Sequence, residues 1–327
     1  MKRSCVPRLW LIAAVLLTMP LAGVRAAPPT VQLEDLTWTE LRDAMASGTT
    51  TVIIPIGGTE QSGPYMALGK HNARVKYLSD RIAQGSGNAV VAPVVAYVPE
   101  GGLNPLTSHM RFPGTITVSD EVFEKTLISA ANGFKAHGFR NVVFLGDHGG
   151  YQKNLQRVAA QLGIAWAGSG ARALAPAEYY EASAQGFAKI LRGQGFRDDE
   201  IGTHAALADT ALQLAVAPAM VRDAQLRVAA APHASDGIYG GDPRRATAEL
   251  GQSGVDAIVS ATVRALRSAL ASGAGSGVRS DVRSDARSDE RGGARSGPGS
   301  ASGSASARAS ASASASASAR ASATVRP

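Results

Sequence analysis

Glu60, His71 and His148 are the residues whose types point most directly to metal binding. Together they would supply one carboxylate and two imidazoles, a donor set that suits Zn²⁺ or a similar divalent ion. Asp147, directly before His148, would either join them as a ligand or hold a histidine ring in place from behind. Spacing alone leaves hydrogen-bonded loop histidines as the alternative, because the sequence has no HExxH motif and no cluster of cysteines and histidines.

The remaining histidines differ in their local sequence. His204 lies beside small residues that let other groups approach closely, as at the two candidate ligands. His137 comes at the end of a predicted helix and is interpreted as structural. His233 lies in a polar loop and is predicted to face solvent. His109 is intermediate between these groups, and the sequence assigns it neither a structural nor a catalytic role.

Two predicted strands end just before the candidate residues. Residues 51–56 (TVIIPI) and 141–145 (NVVFL) are short, continuous apolar runs, which are typical of strands buried on both faces of a sheet. The loop after the first run contains Glu60 and His71, and the loop after the second contains His148. Ligands in open α/β sheets bind beyond the carboxyl ends of the strands, so the sequence predicts a site there.

Helices are predicted between these strands and after them. Thr37 and Ser119 are expected to cap two of the helices. The predicted helices span residues 38–47, 72–84, 120–137, 151–162, 204–216 and 244–270, and further strands span 89–98 and 164–167. This alternation predicts βαβ units and hence a three-layer α/β fold, with a mainly parallel sheet flanked by helices.

Residues 1–26 have the pattern of a secretory signal peptide. Lys2, Arg3 and Arg8 precede an apolar run at residues 9–22, and residues 24–26 (VRA) offer a cleavage site. The run is too short and wrongly flanked for a transmembrane span, and an uncleaved anchor is the alternative. We therefore expect an exported protein, periplasmic or secreted, with no membrane span after cleavage.

Residues 271–327 form a tail of very different composition. An RSDVRSDARSDER repeat leads into Ser-Ala alternation with scattered arginines and no aromatic residue. Such a segment cannot bury enough apolar surface to offset its ordering entropy, so it is predicted to be disordered. Residues 27–270 then form one α/β domain. The single cysteine, Cys5, lies in the predicted signal peptide, which excludes disulfides and thiolate catalysis in that domain.

The basic character of the chain comes from its two ends. The chain has 33 basic and 26 acidic residues and a sequence pI of about 9.7. The predicted signal peptide and tail contain twelve of the basic residues but only four of the acidic ones. The central domain therefore carries nearly equal numbers of basic and acidic residues. The charge therefore gives no support to a nucleic-acid-binding domain.

Four segments, in order along the chain, resemble the motifs of the creatininase family of creatinine amidohydrolase-like proteins. Residues 54–64 resemble its PxGSxEQHGPH loop, 112–116 match its FPGT segment, 145–150 resemble its NGHGGN loop, and 240–251 resemble its GDPxxAT-EKG segment. The resemblance implies an α/β fold, a site for two divalent ions, an oligomeric assembly, and hydrolysis of cyclic or linear C–N bonds in a small-molecule substrate.

The resemblance also implies metal ligands, and the carry-over is partial. Glu60 and His148 match two of the family's ligand positions. Ser62 stands where the family has a ligand histidine, and His71 stands where it has an aspartate that bridges two ions. A neutral imidazole does not bridge two cations as a carboxylate does. A site that has moved to one ion is the favoured expectation, and a pocket that has lost its metal and only binds a small molecule is the alternative.

The family likeness extends to a proton-transfer segment. Residues 203–210 resemble its HAGxxET segment, so His204 is expected to assist proton transfer, and Asp209 replaces the family's glutamate. Together with Glu60, His204 forms the predicted catalytic pair. The remaining candidates for contact with the substrate or with a developing oxyanion are Gln61, Ser62, Tyr65, Gly149, Gly150 and Asp209.

These inferences combine into one expected function. The protein is predicted to be an exported, metal-dependent hydrolase of an amide or cyclic amide, using Zn²⁺, with Mn²⁺ as the alternative and the number of ions open. A metal-free hydrolase with Ser62 as nucleophile is a further reading, which the sequence favours less because EQSGP lacks the G-x-S-x-G pattern.

Overall fold

The predicted apolar runs form the centre of a parallel sheet. The structure is a computed structural model and describes residues 28–274. Four strands pair in the order β2–β1–β3–β4, all parallel, and a short antiparallel pair, β5 and β6, lies apart from them. The strands are β1 (Thr51–Ile56), β2 (Ala89–Val91), β3 (Asn141–Gly146), β4 (Arg172–Leu174), β5 (Gly202–His204) and β6 (Tyr239–Gly241).

Ten α-helices surround the sheets in the described part of the chain. The segment from α5 to α6 is continuous through a π-helical turn, Ala182–Gly186. The helices are α1 (Trp38–Ala46), α2 (Lys70–Ser86), α3 (Asp120–Ala136), α4 (Gln152–Ala165), α5 (Ala177–Glu181), α6 (Phe187–Gly193), α7 (Asp198–Ile201), α8 (Leu207–Val216), α9 (Asp223–Arg227) and α10 (Ala248–Ala274).

The central strand β1 separates two apolar cores because its side chains alternate between the faces of the sheet. Val52, Ile54 and Ile56 pack with residues of α3 and α4 on one face. Ile53 packs with residues of α2, α8 and α10 on the other face. Burial on both faces explains why the strand is a continuous apolar run, and the three layers that result confirm the predicted α/β architecture.

The carboxyl ends of β1 and β3 lie side by side. The two strands pair along their whole length, from Thr51 with Asn141 to Ile56 with Gly146. The chain therefore leaves the sheet at adjacent points, and the loops that follow carry Glu60 and His148. Thr37 and Ser119 cap α1 and α3 as predicted, since each side chain accepts a hydrogen bond from the first turn.

Several predicted elements differ from the observed ones. Residues 164–167 form the end of helix α4 and the turn after it. Of this run only Trp166 is buried, and it donates from Nε1 to Asn132 Oδ1, 2.9 Å away. The predicted strand 89–98 ends at Val91, because Pro93 has no N–H for a ladder. His204 ends strand β5, so the predicted helix 204–216 begins only at Leu207. The predicted helix 244–270 begins at Ala248 and reaches Ala274.

The two ends of the chain lie largely outside the described residues. The predicted signal peptide, residues 1–26, lies wholly outside them, as does the predicted tail after residue 274. Residues 271–274, which we assigned to the tail, form the last turn of α10. Among residues 28–274, no helix is both long enough and apolar enough to cross a membrane.

The contact between α8 and α10 depends on a glycine. A Cβ placed on Gly251 would lie 1.9 Å from the carbonyl oxygen of Ala211, whereas a Cβ on the helical Gly163 would meet nothing within 4 Å. Gly251→Ala is therefore expected to lower the free energy of unfolding by about 1–3 kcal/mol through overpacking. Gly163→Ala, the control, should raise it by roughly 0.5–1 kcal/mol. Urea denaturation of both variants measures this, and equal effects would contradict the proposed helix contact.

Candidate metal centre

A single buried carboxylate, that of Glu60, lies among four imidazole rings. The carboxylate is fully shielded from solvent. His71 Nε2 lies 2.8 Å from Glu60 Oε1 and His204 Nδ1 lies 3.7 Å from the same oxygen. His109 Nε2 and His148 Nε2 lie 3.2 Å and 3.4 Å from Glu60 Oε2. Four rings from distant parts of the chain therefore meet at one carboxylate.

These donors suit a metal ion. The ligand atoms of Glu60, His71 and His148 all lie within 4.8 Å of one another, and so do those of Glu60, His109 and His204. Among the described residues, no N–H or hydroxyl group donates a hydrogen bond to the buried Glu60 Oε2. A buried carboxylate oxygen without a partner is costly, and a cation held between it and the imidazoles would remove that cost.

Asp147 lies behind His71 rather than beside the other donors. Its Oδ2 is 2.6 Å from His71 Nδ1, so it holds the ring with Nε2 facing Glu60. The same carboxylate accepts from Arg74 Nε at 2.7 Å and from the Tyr179 hydroxyl at 2.8 Å. Of the two roles predicted for Asp147, the geometry assigns the outer one, in which a carboxylate orients a ligand histidine.

Two buried cations accompany the carboxylates. Lys70 Nζ bonds to Asp209 and lies 3.4 Å from Glu60 Oε1. Arg74 Nη1 donates to Asp209 Oδ1 at 2.5 Å and also bonds to Asp147. Burial opposes ionisation of Asp209, but Lys70 and Arg74 outweigh it and hold the pKa of that carboxyl well below its usual range. Asp209 thus anchors the two cations.

Burial also sets the charge of the histidines and of Glu60. It lowers the pKa of His148 to about 4 and that of His204 to about 3. Both rings are neutral at pH 7, and each keeps a lone pair for a ligand or a proton. Burial opposes ionisation of Glu60, but the positive charge of Lys70 and the other neighbouring groups outweigh it and hold the pKa of this carboxyl below its usual range, so Glu60 is ionised.

A second buried carboxyl group, that of Glu100, lies beside His148. Glu100 Oε2 is 3.4 Å from His148 Nδ1. Burial, and then the charge of Glu60, raises the pKa of Glu100 to about 9, so this group is neutral at pH 7. The site therefore contains one ionised and one protonated glutamate.

The Tyr151 hydroxyl ties the two loops together at the ends of the strands. It lies within donating distance of the carbonyl oxygens of Ile56, at 2.9 Å, and Gly57, at 2.6 Å. It accepts from the backbone N–H groups of Asp147, at 3.1 Å, and His148, at 3.0 Å. One buried side chain thus fixes the loop after β1 against the loop after β3.

An open cleft of about 360 Å³ gives access to the site. Its polar lining includes His109, His148, His204, Lys70 and Asp209. Several apolar and small residues complete it, among them Tyr180, Ala184, Ala208 and Leu212. The cleft is large enough for a small polar molecule and brings it against the imidazoles.

The family model described as Creatinine amidohydrolase matches residues 34–266. This match covers most of the chain. The chain belongs to the creatininase family.

Curated relatives match over a shorter stretch. The 3-dehydro-scyllo-inosose hydrolase of Thermotoga maritima is 31% identical over 122 residues, which are 37% of this chain and 37% of that protein. A mycofactocin precursor peptide peptidase of Mycolicibacterium smegmatis is 30% identical over 118 residues, 35% of this chain and 44% of that protein. The aligned stretch thus spans less than half of each relative.

Solved creatininase structures share the fold. One, named Creatininase Mn, has a TM-score of 0.58 and 21% sequence identity, and the likeness covers 73% of this chain and 98% of that one. Another, a mutant creatininase of Zn-Zn type, has a TM-score of 0.58 and 20% sequence identity, and the likeness covers 73% of this chain and 98% of that one. At this identity the likeness concerns the fold.

Two residues that were predicted to contact the substrate, Ser62 and Tyr65, lie away from the cleft. Ser62 and Tyr65 line a separate, much smaller cavity together with Ala205 and Ile238. The Ser62 hydroxyl is buried and has no hydrogen-bond partner among the described residues. No histidine lines that cavity, so the geometry provides no base for a serine nucleophile.

The predicted oxyanion donors are also engaged elsewhere. Gln61 Nε2 lies 3.1 Å from His109 Nδ1 and 3.1 Å from His204 Nε2. The Gly150 N–H donates to His148 Nδ1 at 3.3 Å. Gly149 lines the cleft, where a Cβ would lie 2.5 Å from the Tyr180 hydroxyl. Gln61 and Gly150 therefore position histidines, and Gly149 keeps the cleft open.

Sequence reasoning missed the cations and hydroxyls around the ligands. Lys70 and Arg74 are one turn apart on α2 and flank His71, a spacing that could have indicated them once the helix was extended back to residue 70. Nothing in the local sequence indicates that Tyr151 and Tyr179 donate or accept at the site, because their partners lie on other elements.

Tyr151→Phe tests the tie between the loops. Removal of the hydroxyl takes the partner from the Gly57 carbonyl and from the His148 N–H, whereas the Ile56 carbonyl and the Asp147 N–H still bond to each other. We therefore expect the free energy of unfolding to fall by about 1–3 kcal/mol. Tyr97→Phe, which changes a side chain that is 63% exposed, serves as the control and should leave stability nearly unchanged. Urea denaturation provides the comparison. Equal stability of the two variants would show that the hydroxyl contributes nothing.

Proposed function

We propose that the protein is a metal-dependent hydrolase of a C–N bond in an amide or cyclic amide, with one divalent ion held by Glu60, His71 and His148. The observation that carries the proposal is the buried Glu60 Oε2, which receives no hydrogen bond from an N–H or hydroxyl group of the described residues and has imidazole nitrogens around it. Family membership and the hydrolase and peptidase names of the relatives support the reaction class.

Zn²⁺ fits this donor set best, and Mn²⁺ is the alternative. One carboxylate and two neutral imidazoles form the three-ligand set of many catalytic zinc sites. Solved creatininases include a Zn-Zn type and a manganese form, which supports both metals. When bound, the ion would polarise the scissile carbonyl and lower the pKa of a water molecule.

A single ion is favoured by the groups around Glu60. Ser62, at the position of a family ligand for a second ion, lies in another cavity. Lys70 Nζ lies 3.4 Å from Glu60 Oε1 and already brings a positive charge to this carboxylate. A second divalent ion would meet like charge there, with fewer carboxylates to offset it.

His204 is the proposed proton carrier. It lines the cleft, and burial, followed by the charge of Lys70, makes it neutral at pH 7. A neutral imidazole can take a proton from the attacking water and then donate it to the leaving nitrogen. Asp209, which accepts from the N–H of Ala205 at 2.9 Å, fixes the start of the segment that follows His204.

The proposed substrate is a small polar molecule. The cleft of about 360 Å³ has several imidazole rings and two cations, Lys70 and Arg74, in its lining. This lining suits a compact amide or cyclic amide. A relative from Pseudomonas putida is named creatinine amidohydrolase, which supports this class of substrate. The proposal involves no nucleic acid. Self-association stays a prediction from the family resemblance.

Removal of His148 tests the metal centre. The purified wild-type protein should contain about one zinc or manganese ion per chain, measured by elemental analysis. His148→Ala should lower the metal content severalfold and abolish turnover in a panel of small amides and cyclic amides that includes creatinine. His137→Ala, which changes an exposed histidine at the end of α3, should retain both. A wild type without metal, or full turnover in His148→Ala, would contradict the proposal.

We further propose that the protein is exported, to the periplasm or the medium. The support is the basic start, the apolar run at residues 9–22 and the VRA sequence at 24–26. The full-length protein expressed in a Gram-negative host should appear in the periplasm or medium with an N-terminus near Ala27, identified by mass spectrometry. Lys2→Glu with Arg3→Glu should retain it in the cytoplasm. Uncleaved, cytoplasmic wild-type protein would exclude export.

A further inference from the structure

We propose that the hydroxyl of Tyr180 selects the substrate, through a hydrogen bond to a polar group on the carbon next to the scissile carbonyl. The inference rests on the proposed function and adds a substrate class, that of small amides with a hydroxyl group at this carbon. Tyr180 is thus assigned to specificity, and it neither holds the metal ion nor carries the proton.

Tyr180 lies on the wall of the cleft, directly after a residue that is anchored in the site. The hydroxyl of the buried Tyr179 donates to Asp147 Oδ1 at 2.8 Å, and Asp147 in turn holds the ring of His71. Consecutive residues of a helix point about 100° apart. Helix α5 therefore turns Tyr179 towards the buried network and Tyr180 towards the cleft.

The π-helical turn Ala182–Gly186 keeps the cleft side of this segment separate from its core side. In an uninterrupted α-helix, Phe187 would lie on the same side as Tyr180, two turns before it. The π-helical turn adds one residue, which moves Phe187 to the side of Tyr179. Phe187 is fully buried in the core, whereas Tyr180 and Ser183 line the cleft. The turn therefore leaves one side of the segment for a ligand.

The Tyr180 hydroxyl is available to a ligand. It has no hydrogen-bond partner among residues 28–274, and neither has the Ser183 hydroxyl in the same lining. The Tyr180 side chain is half-buried and packs against the apolar core, so the ring is supported while its hydroxyl faces the cleft. A tyrosine hydroxyl both donates and accepts, which suits a hydroxyl group on the substrate.

The other hydroxyl and the cations of the lining are engaged with the protein. The Thr203 hydroxyl donates to a backbone carbonyl at 3.2 Å. Lys70 and Arg74 both form ion pairs with Asp209. A polar group of the substrate that meets one of these would compete with an existing partner, whereas at Tyr180 it gains a hydrogen bond without displacing one.

Gly149 brings the hydroxyl close to the candidate metal centre. Gly149 follows the proposed ligand His148, and a Cβ placed on it would lie 2.5 Å from Tyr180 Oη. The position requires a glycine because even a methyl group would collide with the hydroxyl. Tyr180 Oη therefore lies over the residue next to a ligand. A compact substrate whose carbonyl meets the ion would bring its neighbouring carbon to this hydroxyl.

Two hydroxamates that differ in one group test the selection. Glycolohydroxamate carries a hydroxyl where propionohydroxamate carries a methyl group, and both offer the same two oxygens to zinc. The zinc-loaded wild type should bind glycolohydroxamate about tenfold more tightly, the size expected for one hydrogen bond. In Tyr180→Phe this preference should disappear, through a loss of affinity for glycolohydroxamate alone. Isothermal titration calorimetry measures both affinities.

Zinc content and a matched variant separate recognition from structure. Tyr180→Phe should keep about one zinc ion per chain, measured by elemental analysis, because the hydroxyl is not a ligand. Tyr97→Phe removes the hydroxyl of a side chain that is 63% exposed, and it should keep the wild-type preference for glycolohydroxamate.

The outcomes distinguish this inference from the proposed function. Equal affinities of the wild type for the two hydroxamates, or a preference that survives in Tyr180→Phe, would overturn the inference while the hydrolase remains. A Tyr180→Phe variant that loses zinc or propionohydroxamate would also overturn it, since the hydroxyl would then support the metal centre. A wild-type protein that binds no zinc defeats the proposed function itself.

Discussion

The charge of one buried carboxylate, that of Glu60, is the constraint on which the site depends. A carboxylate without solvent is unstable unless positive charge or hydrogen bonds offset its burial. Lys70 lies beside one oxygen, and the other faces the imidazole nitrogens of His109 and His148. The surrounding groups are arranged in response, since Asp209 must in turn balance Lys70 and Arg74. The result is a network of buried charges around one carboxylate, of which one oxygen faces imidazole nitrogens.

The fold brings this network together through the ends of two neighbouring strands. β1 and β3 stop at the same edge of the sheet, and the loops that follow them are joined by the Tyr151 hydroxyl and by the hydrogen bond from the Asp147 N–H to the Ile56 carbonyl. Helix α2 starts at this edge and places His71 against Glu60 within its first turn. The cleft then forms where the segment around His204 folds over the loops. Rigid strands with polar loops at their ends are the usual support for a site in such sheets.

Much of the frame could be predicted from the sequence, since it depends on local patterns. The continuous apolar runs gave β1 its observed bounds, and the cap residues Thr37 and Ser119 located two helix starts. Glu60, His71 and His148 were predicted as ligands because they follow such runs, and the structure brings them close together. Their partners depend on contacts between distant segments, as with Lys70 and Asp209, 139 residues apart. The direction of a loop side chain is equally non-local, which is why Ser62 was expected in the cleft and lies elsewhere.

The position and number of bound ions test the account most directly. Crystals of the zinc-loaded protein, measured on both sides of the zinc absorption edge, would yield an anomalous difference map that marks each ion. The account predicts one peak, within coordination distance of Glu60, His71 and His148. A peak shared by Glu60, His109 and His204, or a map with no peak at this carboxylate, would contradict it.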